Sequence, residues 1–267
     1  MNHEDMKRII ENTFKDMIQM TEKPNAEEGW PKLIWPKYSP FRKSAKNVEI
    51  RFSEQELKQR FIVQLEDSLD KFFYSVETPT IDGYRFSGDY PMILHHDNGG
   101  QSGNFDLTIY DSNQVIQHHI EFKSGTPASN EITKDLLKLC NEPYCYDLPK
   151  YKKNALKKEE DAEHRYHYFI HMLDRFGSNT LESLEDKILP TNTQLKEEMN
   201  ACLNNSRNNI CVFILVLTKE KSGYYEFNYV EQKEDKQLKQ VISQVISHID
   251  WNFCWYKYDG KDFKKEM

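Results

Sequence analysis

Two segments near the middle of the chain alternate apolar and polar residues as a β-hairpin does. In FDLTIYD, residues 105–111, every second residue is apolar. In VIQHHIEFK, residues 115–123, the most economical buried set is Ile116, Ile120 and Phe122. The short segment DSNQ joins the two, so we expect an antiparallel pair of strands with one apolar face.

The opposite face of this hairpin would carry the charges. The alternation places Asp106 on that face in the first strand, and His119, Glu121 and Lys123 in the second. Directly opposite residues share a face, so Asp106 should lie beside His119 or Glu121, within about 5 to 8 Å. A bulge would shift the register by one residue and separate the two acids.

Helical spacing of apolar residues predicts helices over residues 4–20, 53–76 and 130–141. Residues 158–206 are mostly polar and are predicted to form a helical insertion. The helix over 53–76 is the most regular, with a stripe formed by Leu57, Phe61, Leu65, Leu69 and Phe72.

Further strands are predicted on both sides of this insertion. Residues 210–218, ICVFILVLT, form a continuous apolar run typical of a central strand covered on both faces. Residues 224–230 follow as a hairpin partner, and residues 251–259 as a last strand after a helix over 238–249. Residues 84–94 give a weaker strand pattern.

Chain length and composition favour one domain with additions. The 267 residues suffice for one sizeable core. We expect an N-terminal helix and basic aromatic arm over 1–52, and one domain over 53–267. No apolar run approaches the ~20 residues that cross a bilayer, and the first residues lack a signal-peptide pattern. Five cysteines without a CxxC pair indicate neither a disulfide framework nor a Cys-rich zinc site. A cytoplasmic protein without a membrane partner is expected.

The net charge of −7 argues against a broadly basic nucleic-acid-binding surface. Residues 29–48, however, contain four lysines, Lys43 among them, and Arg42, interleaved with aromatic residues and without acids. Such a segment can follow a phosphate backbone and stack on bases. Alternatively, its aromatic residues pack on the domain and its cationic groups remain in water.

Two carboxylates beside a lysine define a recognisable kind of site. The oxygens of Asp106 and Glu121 are ligands that Mg²⁺ or Mn²⁺ accepts. Such a metal polarises a phosphate and acidifies a bound water, while the charge of Lys123 stabilises developing negative charge. This combination favours hydrolysis of phosphodiesters.

The hairpin resembles the bipartite signature of the PD-(D/E)XK nuclease superfamily. Phe105-Asp106 would be the first half, without the usual proline, and Glu121-Phe122-Lys123 the second. The resemblance implies an α/β (α+β) fold with a restriction-endonuclease-like core, a central mixed β-sheet flanked by helices. The superfamily core runs helix, three strands, helix, strand. The predicted helix over 53–76 would be the first element, and the strand over 84–94 with the two hairpin strands would be the next three. The helix over 130–141 and the strand over 210–218 would complete the core.

The resemblance also implies roles for individual residues. Asp106 and Glu121 would hold Mg²⁺ or Mn²⁺, and Lys123 would position water or stabilise the transition state. Family members often add an acid from the first core helix, and helical phase places Glu54 along the apolar stripe there. A first-turn glutamate is equally what the helix dipole favours without any catalytic role.

Three further residues are candidates for contact with substrate phosphate: His119, Lys134 and Lys138. A plain surface histidine and solvated helix lysines are the alternatives. The resemblance implies a nuclease that acts on nucleic acid, with DNA favoured over RNA. A homodimer would present two such sites to the two strands of a duplex.

Two other functions remain open. A nuclease-fold module could bind nucleic acid or another partner without cutting, although clustered carboxylates repel phosphate unless a cation is bound. Separately, Glu163, His167 and His171 would share one face of a helix, with His164 close by, and could hold zinc or iron in a different hydrolase.

Overall fold

The computed structural model describes residues 1–21, 30–36, 51–68, 72–87, 90–94, 101–125, 127, 129–141, 166–173, 208–217, 222–228, 254–258 and 263–266. Arg42 and Lys43, the predicted helix over 238–249, and Glu163 and His164 lie outside these residues. Their predictions therefore stay predictions.

Helices and strands alternate along the described chain. The helices are α1 (His3–Gln19), α2 (Glu54–Ser68) and α3 (Ser129–Asn141). The strands are β1 (Phe73–Ser87), β2 (Tyr90–Leu94), β3 (Gln101–Tyr110), β4 (Ile116–Ser124), β5 (Tyr166–Leu173), β6 (Asn209–Leu217), β7 (Ser222–Asn228), β8 (Cys254–Tyr258) and β9 (Phe263–Glu266).

The strands described form one mixed sheet in the order β2-β1-β3-β4-β5-β6-β7-β8-β9. Strands β4, β5 and β6 are parallel to one another, and the remaining neighbours are antiparallel. Helix α3 lies between β4 and β5 in the chain, as a parallel connection requires. The predicted mixed α/β class, the β3–β4 hairpin and the β6–β7 pair are confirmed.

One face of the sheet, the α1–α2 face, is apolar. Phe61 of α2 meets Phe122 of β4 edge-on, with ring centroids 5.3 Å apart. Helix α1 belongs to the same core through residues that include Ile9 and Phe14. The core continues over alternate residues of the central strands: Leu107, Ile109, Ile120, Tyr168, Ile170, Met172, Cys211, Phe213, Leu215 and Leu217.

The other face, the α3 face, is covered by α3, which packs across β3 to β6. Residues of β6 between those of the core, such as Val212 and Ile214, are also buried there. Strand β6 is therefore covered on both faces, as its continuous apolar run predicts. Polar side chains are buried on the same face: His119 and Glu121 of β4, His167 and His171 of β5, and Asp135 and Lys138 of α3.

The prediction of helix for residues 158–206 is wrong for residues 166–173. These residues, YHYFIHML, form β5 between β4 and β6, and seven of the eight are buried. Burial on both faces explains the run of aromatic and aliphatic residues. His167 and His171 consequently lie along a strand, and the helical metal site proposed for them does not form.

Helix α2 also ends earlier than predicted. It stops at Ser68, and β1 starts at Phe73, within the predicted helix over 53–76. The aromatic and β-branched residues of FFYSVETPT favour a strand over a helix. Phe72 thus leaves the predicted helical stripe, and the next residue, Phe73, is 57% exposed.

Part of the aromatic arm packs on the domain. Trp35 is buried and donates a hydrogen bond from Nε1 to the Met17 carbonyl at 3.3 Å. Its ring meets that of Phe52 edge-on, with centroids 4.7 Å apart. For Trp35, the alternative of packing on the domain is confirmed.

Candidate functional site

The end of β4 brings together side chains from both covering helices. Lys123 Nζ lies 2.7 Å from Asp135 Oδ2 of α3 and 3.8 Å from Glu54 Oε2 of α2. Glu54 is in the first turn of α2, on the side that helical phase indicates. The structure therefore places Glu54 beside Lys123, while its catalytic role stays a prediction.

Glu121 lies one pleat before Lys123 and is buried, with 2% of its side chain exposed. Its carboxylate forms an ion pair with Lys138, whose ammonium also lies 2.9 Å from Asp135 Oδ1. Lys138 further donates to the Asn104 carbonyl at 2.7 Å. Asp135 thus connects Lys123 and Lys138 in one network on the α3 face.

Asp106 is placed where β3 separates from β4. The paired register runs as far as Leu107 and Ile120, and Asp106 Oδ2 accepts a hydrogen bond from the Phe122 N–H at 2.7 Å. Its other oxygen lies 3.2 Å from Lys58 Nζ of α2. Lys58 also pairs with Glu77 of β1, at 2.7 Å.

The two predicted ligands are neighbours in register but pair with different helices. Asp106 is bound by a lysine of α2, and Glu121 by a lysine of α3. The bulge that could have separated them lies between Ile109 and Tyr110, toward the turn. The predicted hairpin register therefore holds next to the acids.

Phe105 does not lie on the predicted face. Its ring stacks on His119 of the α3 face at a centroid distance of 4.1 Å, whereas Leu107 belongs to the core. The change of face occurs at Asp106, opposite Glu77, whose φ of +51° is uncommon for a non-glycine residue. This local irregularity frees Asp106 to turn toward α2.

Burial and charge act in opposite directions on the acids. Burial raises the pKa of Glu121 well above its usual value; repulsion from Asp135 adds to the rise and Lys138 opposes it. Burial likewise raises the pKa of Glu54, against the attraction of Lys123. Burial therefore disfavours the ionised form of both carboxyls, and a nearby cation would stabilise that form.

The lysines show the complementary effect. Burial alone would lower the pKa of Lys123, but the Asp135 and Glu54 carboxylates outweigh it and the pKa is raised. The pKa values of Lys58 and Lys138 are raised for the same reason, by their own carboxylate partners. Lys123 is consequently an ammonium group at neutral pH.

His119 is not a surface histidine. It is fully buried, and its Nδ1 lies 2.9 Å from Thr108 Oγ1. Its backbone N–H donates to His167 Nδ1 at 3.0 Å. Burial also lowers the pKa of His119 to about 3. The interpretation as a plain surface histidine is therefore wrong, while contact with substrate phosphate stays a prediction. The neighbouring His118 is also buried, and its Nδ1 lies 2.7 Å from the Tyr166 carbonyl oxygen.

The two candidate lysines of α3 have different environments. Lys138 is buried, with 3% of its side chain exposed, so the interpretation as a solvated lysine is wrong. Burial among carboxylates, rather than helix-surface solvation, determines its position. Lys134, one turn earlier, is half-buried.

Sequence reasoning missed three residues of the network: Asp135, Lys58 and Glu77. Asp135 lies three residues after the core residue Ile132, so its position on the buried stripe was a usable signal. Lys58 follows Glu54 by four residues and therefore shares its helix face. Glu77 has no comparable signal, because it directly follows the predicted helix over 53–76 and was assigned to no element.

No group of three or more His, Cys, Asp or Glu side chains in metal-binding geometry occurs within the part of the chain that the structure describes. In that part, too, no helix combines the length and apolarity needed to span a membrane. Comparison with protein-family models, curated proteins and solved structures found no match.

Proposed function

We propose that this protein is a divalent-metal-dependent nuclease, with DNA as the favoured substrate. The observation that carries the proposal is the contact of Glu54 of α2 with Lys123 at the end of β4, at 3.8 Å. The carboxylates of Asp106 and Glu121 lie near enough for their charges to act on this pair. Carboxylates collected beside a buried lysine are costly for stability, which favours a catalytic reason for keeping them.

The element order supports the restriction-endonuclease-like core. Helix α2, strands β1, β3 and β4, helix α3 and strand β5 follow the expected sequence of helix, three strands, helix and strand. Strand β5, parallel to β4, takes the position expected for residues 210–218. Strand β2 is an addition at the sheet edge.

The donor set fits Mg²⁺ or Mn²⁺ by type, because hard cations take carboxylate oxygens. Buried Glu121 and half-buried Glu54, both with raised pKa values, would gain from such a charge. Asp106 and Glu121 would hold the metal, with Glu54 nearby. When bound, the metal would polarise the phosphodiester and acidify a water.

Lys123 would act as a cation rather than as a base. Its ammonium is fixed by Asp135 at 2.7 Å, and its raised pKa keeps the proton on Nζ. A fixed ammonium group can donate a hydrogen bond to a phosphate oxygen and stabilise the charge that develops there. Asp135 would be a positioning residue in this mechanism.

The second candidate is a nuclease-fold module that binds a partner without cutting. It is favoured by one observation: Asp106, Glu121 and Glu54 each already lie against a lysine. A carboxylate satisfied in this way does not need a metal. The two candidates differ in metal dependence and in the effect of removing Lys123.

The test compares wild type with Asp106→Asn, Lys123→Gln and Glu54→Gln on plasmid DNA, single-stranded DNA and RNA. Each reaction is run in Mg²⁺, in Mn²⁺ and in excess EDTA. We expect metal-dependent cutting that falls by at least ~100-fold for Asp106→Asn and Lys123→Gln, in line with the loss of an electrostatic catalytic group.

Glu66→Gln is the matched control for Glu54→Gln. It makes the same change on the same helix, twelve residues later, where Glu66 accepts a hydrogen bond from Tyr74 in an exposed position. Glu66→Gln should cut like wild type. If folded wild-type protein cuts none of the three substrates, the proposed nuclease activity is overturned. The second candidate, a module that binds without cutting, would then be favoured.

A further inference from the structure

The ammonium group of Lys138 is surrounded by oxygen atoms, much as a bound metal cation would be. An ammonium group has three hydrogens to donate. Lys138 Nζ has three oxygen partners: Glu121 Oε1, Asp135 Oδ1 at 2.9 Å and the Asn104 carbonyl at 2.7 Å. The nitrogen also lies 5.6 Å from the centroid of the Phe105 ring. Its position is therefore fully determined by oxygens and an aromatic face.

The carboxylate that Lys138 neutralises is one of the two predicted metal ligands. Lys138 comes from the covering helix α3, whereas Glu121 is in the sheet. Two positive charges cannot share one buried carboxylate without strong repulsion at this distance. A divalent cation that uses Glu121 would therefore compete with this ammonium group for it.

We propose that Lys138 is an internal counter-cation of Glu121 that competes with the divalent metal and sets the metal concentration at which the site fills. The inference rests on the proposed function, because it assumes that Glu121 is a metal ligand. It assigns Lys138 a regulatory role in place of the phosphate contact suggested by the sequence.

The structure provides an alternative position for the displaced charge. If Glu121 turns to a metal, Lys138 keeps Asp135 and the Asn104 carbonyl as partners. The ammonium then remains paired while it is buried, which limits the cost of displacement. Competition can therefore be reversible without opening α3 from the sheet.

The test measures Mn²⁺ binding to the full chain, without nucleic acid, by calorimetry and by the free Mn²⁺ signal in electron paramagnetic resonance. The variants are Lys138→Gln, Lys138→Arg and the control Lys134→Gln, one turn earlier on the same helix. Binding is measured over a range of pH, because Lys138 also restrains the rise of the Glu121 pKa and its removal favours the protonated carboxyl, which does not bind a metal. Where the affinity of each protein no longer rises with pH, we expect Lys138→Gln to bind Mn²⁺ on the order of tenfold more tightly than wild type, as removal of a close competing charge predicts. Lys138→Arg and Lys134→Gln should bind like wild type.

A charge-balanced pair of variants covers the case in which Lys138→Gln does not fold. Lys138→Gln combined with Asp135→Asn removes one charge of each sign, and is compared with Asp135→Asn alone. The combined variant should bind Mn²⁺ more tightly than the single one. Circular dichroism and urea unfolding confirm that each protein is folded.

The outcomes separate this inference from the proposed function. Wild type that binds Mn²⁺ through Glu121, shown by loss of binding in Glu121→Gln, with equal affinity in Lys138→Gln, would overturn the competition and leave the metal site intact. An absence of Mn²⁺ binding in wild type and in every folded variant would overturn the metal site and the competition together.

Discussion

Strand β4 presents two different environments on its two faces. On the α1–α2 face, Ile120 and Phe122 pack into an apolar core that extends to α1 and to β6. On the α3 face, His119 and Glu121 are equally buried, but they are polar side chains that pair with the Thr108 hydroxyl and the Lys138 ammonium group. Residues that follow one another in the chain therefore contribute to folding in opposite ways.

The two faces of β4 therefore differ in how burial affects the stability of the fold. Burial of an aromatic ring removes apolar surface from water and stabilises the fold. Burial of a carboxyl or an imidazole costs free energy unless hydrogen bonds and counter-charges compensate. Apolar burial on the α1–α2 face thus offsets the free-energy cost of burying polar groups on the α3 face. Three substitutions test whether the two faces differ in this way.

The largest effect is expected on the apolar face. Phe122→Ala should lower the free energy of unfolding by about 3 to 5 kcal/mol, because it leaves a cavity against Phe61. Phe73→Ala makes the same change where 57% of the ring is exposed, and should cost less than about 1 kcal/mol. Urea unfolding measures both, and similar losses would show that the α1–α2 face is not the main source of stability.

The same division explains which parts of the fold could be predicted from the sequence. Helices α1 and α3 and the β3–β4 hairpin have local periodicity, since their apolar residues face one side. Strand β5 was predicted as helix because it is buried on both faces and its histidines face α3. Its neighbours, β4 and β6, are distant in the chain, so their pairing leaves no local signal.

The site follows a similar rule. Glu121 and Lys123 come from one strand of the predicted hairpin, and strand alternation suffices to place them on one face. Asp106 needed more than alternation, because the face changes at this residue and its carboxylate turns toward Lys58 of α2. Glu54 required only the phase of one helix. Lys58 and Asp135 were missed because their ion pairs join separate elements, and a single charged residue on a helix more often faces water.

The second effect concerns His119 and acid pH. Its pKa is about 3 in the folded protein and 6.5 in the unfolded chain, so the unfolded chain binds the extra proton between these values. The stability that the neutral imidazole gives is complete above pH 6.5 and is lost as the pH falls. Between pH 8 and pH 5, this group alone should remove about 2 kcal/mol.

The comparison between wild type and His119→Gln isolates this contribution. Other titrating groups are common to both proteins, so the difference in unfolding free energy should change by about 2 kcal/mol between pH 8 and pH 5. Above pH 7 the difference should be constant. A difference independent of pH down to 5 would mean that His119 is accessible to protons in the folded protein.

The smallest effect has the opposite sign and addresses the acid itself. A raised pKa means that the folded protein disfavours the charged carboxylate of Glu121, so its contribution to stability falls as the pH rises above the usual carboxyl value. Glu121→Gln removes this cost, while Lys138 retains Asp135 and the Asn104 carbonyl. The variant should gain at most about 1 kcal/mol at pH 7.5 in metal-free buffer, because the loss of one partner of Lys138 offsets much of the relief from burying the carboxylate.

Thermal and urea unfolding at pH 7.5 measure this gain, with Glu66→Gln as the exposed control that should change little. Cleavage by Glu121→Gln should be lost in the same preparation. A variant that is more stable and inactive would show that Glu121 is retained for chemistry at the expense of stability. A loss of more than about 2 kcal/mol would instead mean that the Glu121–Lys138 pair holds α3 on the sheet, and that this face also stabilises the fold.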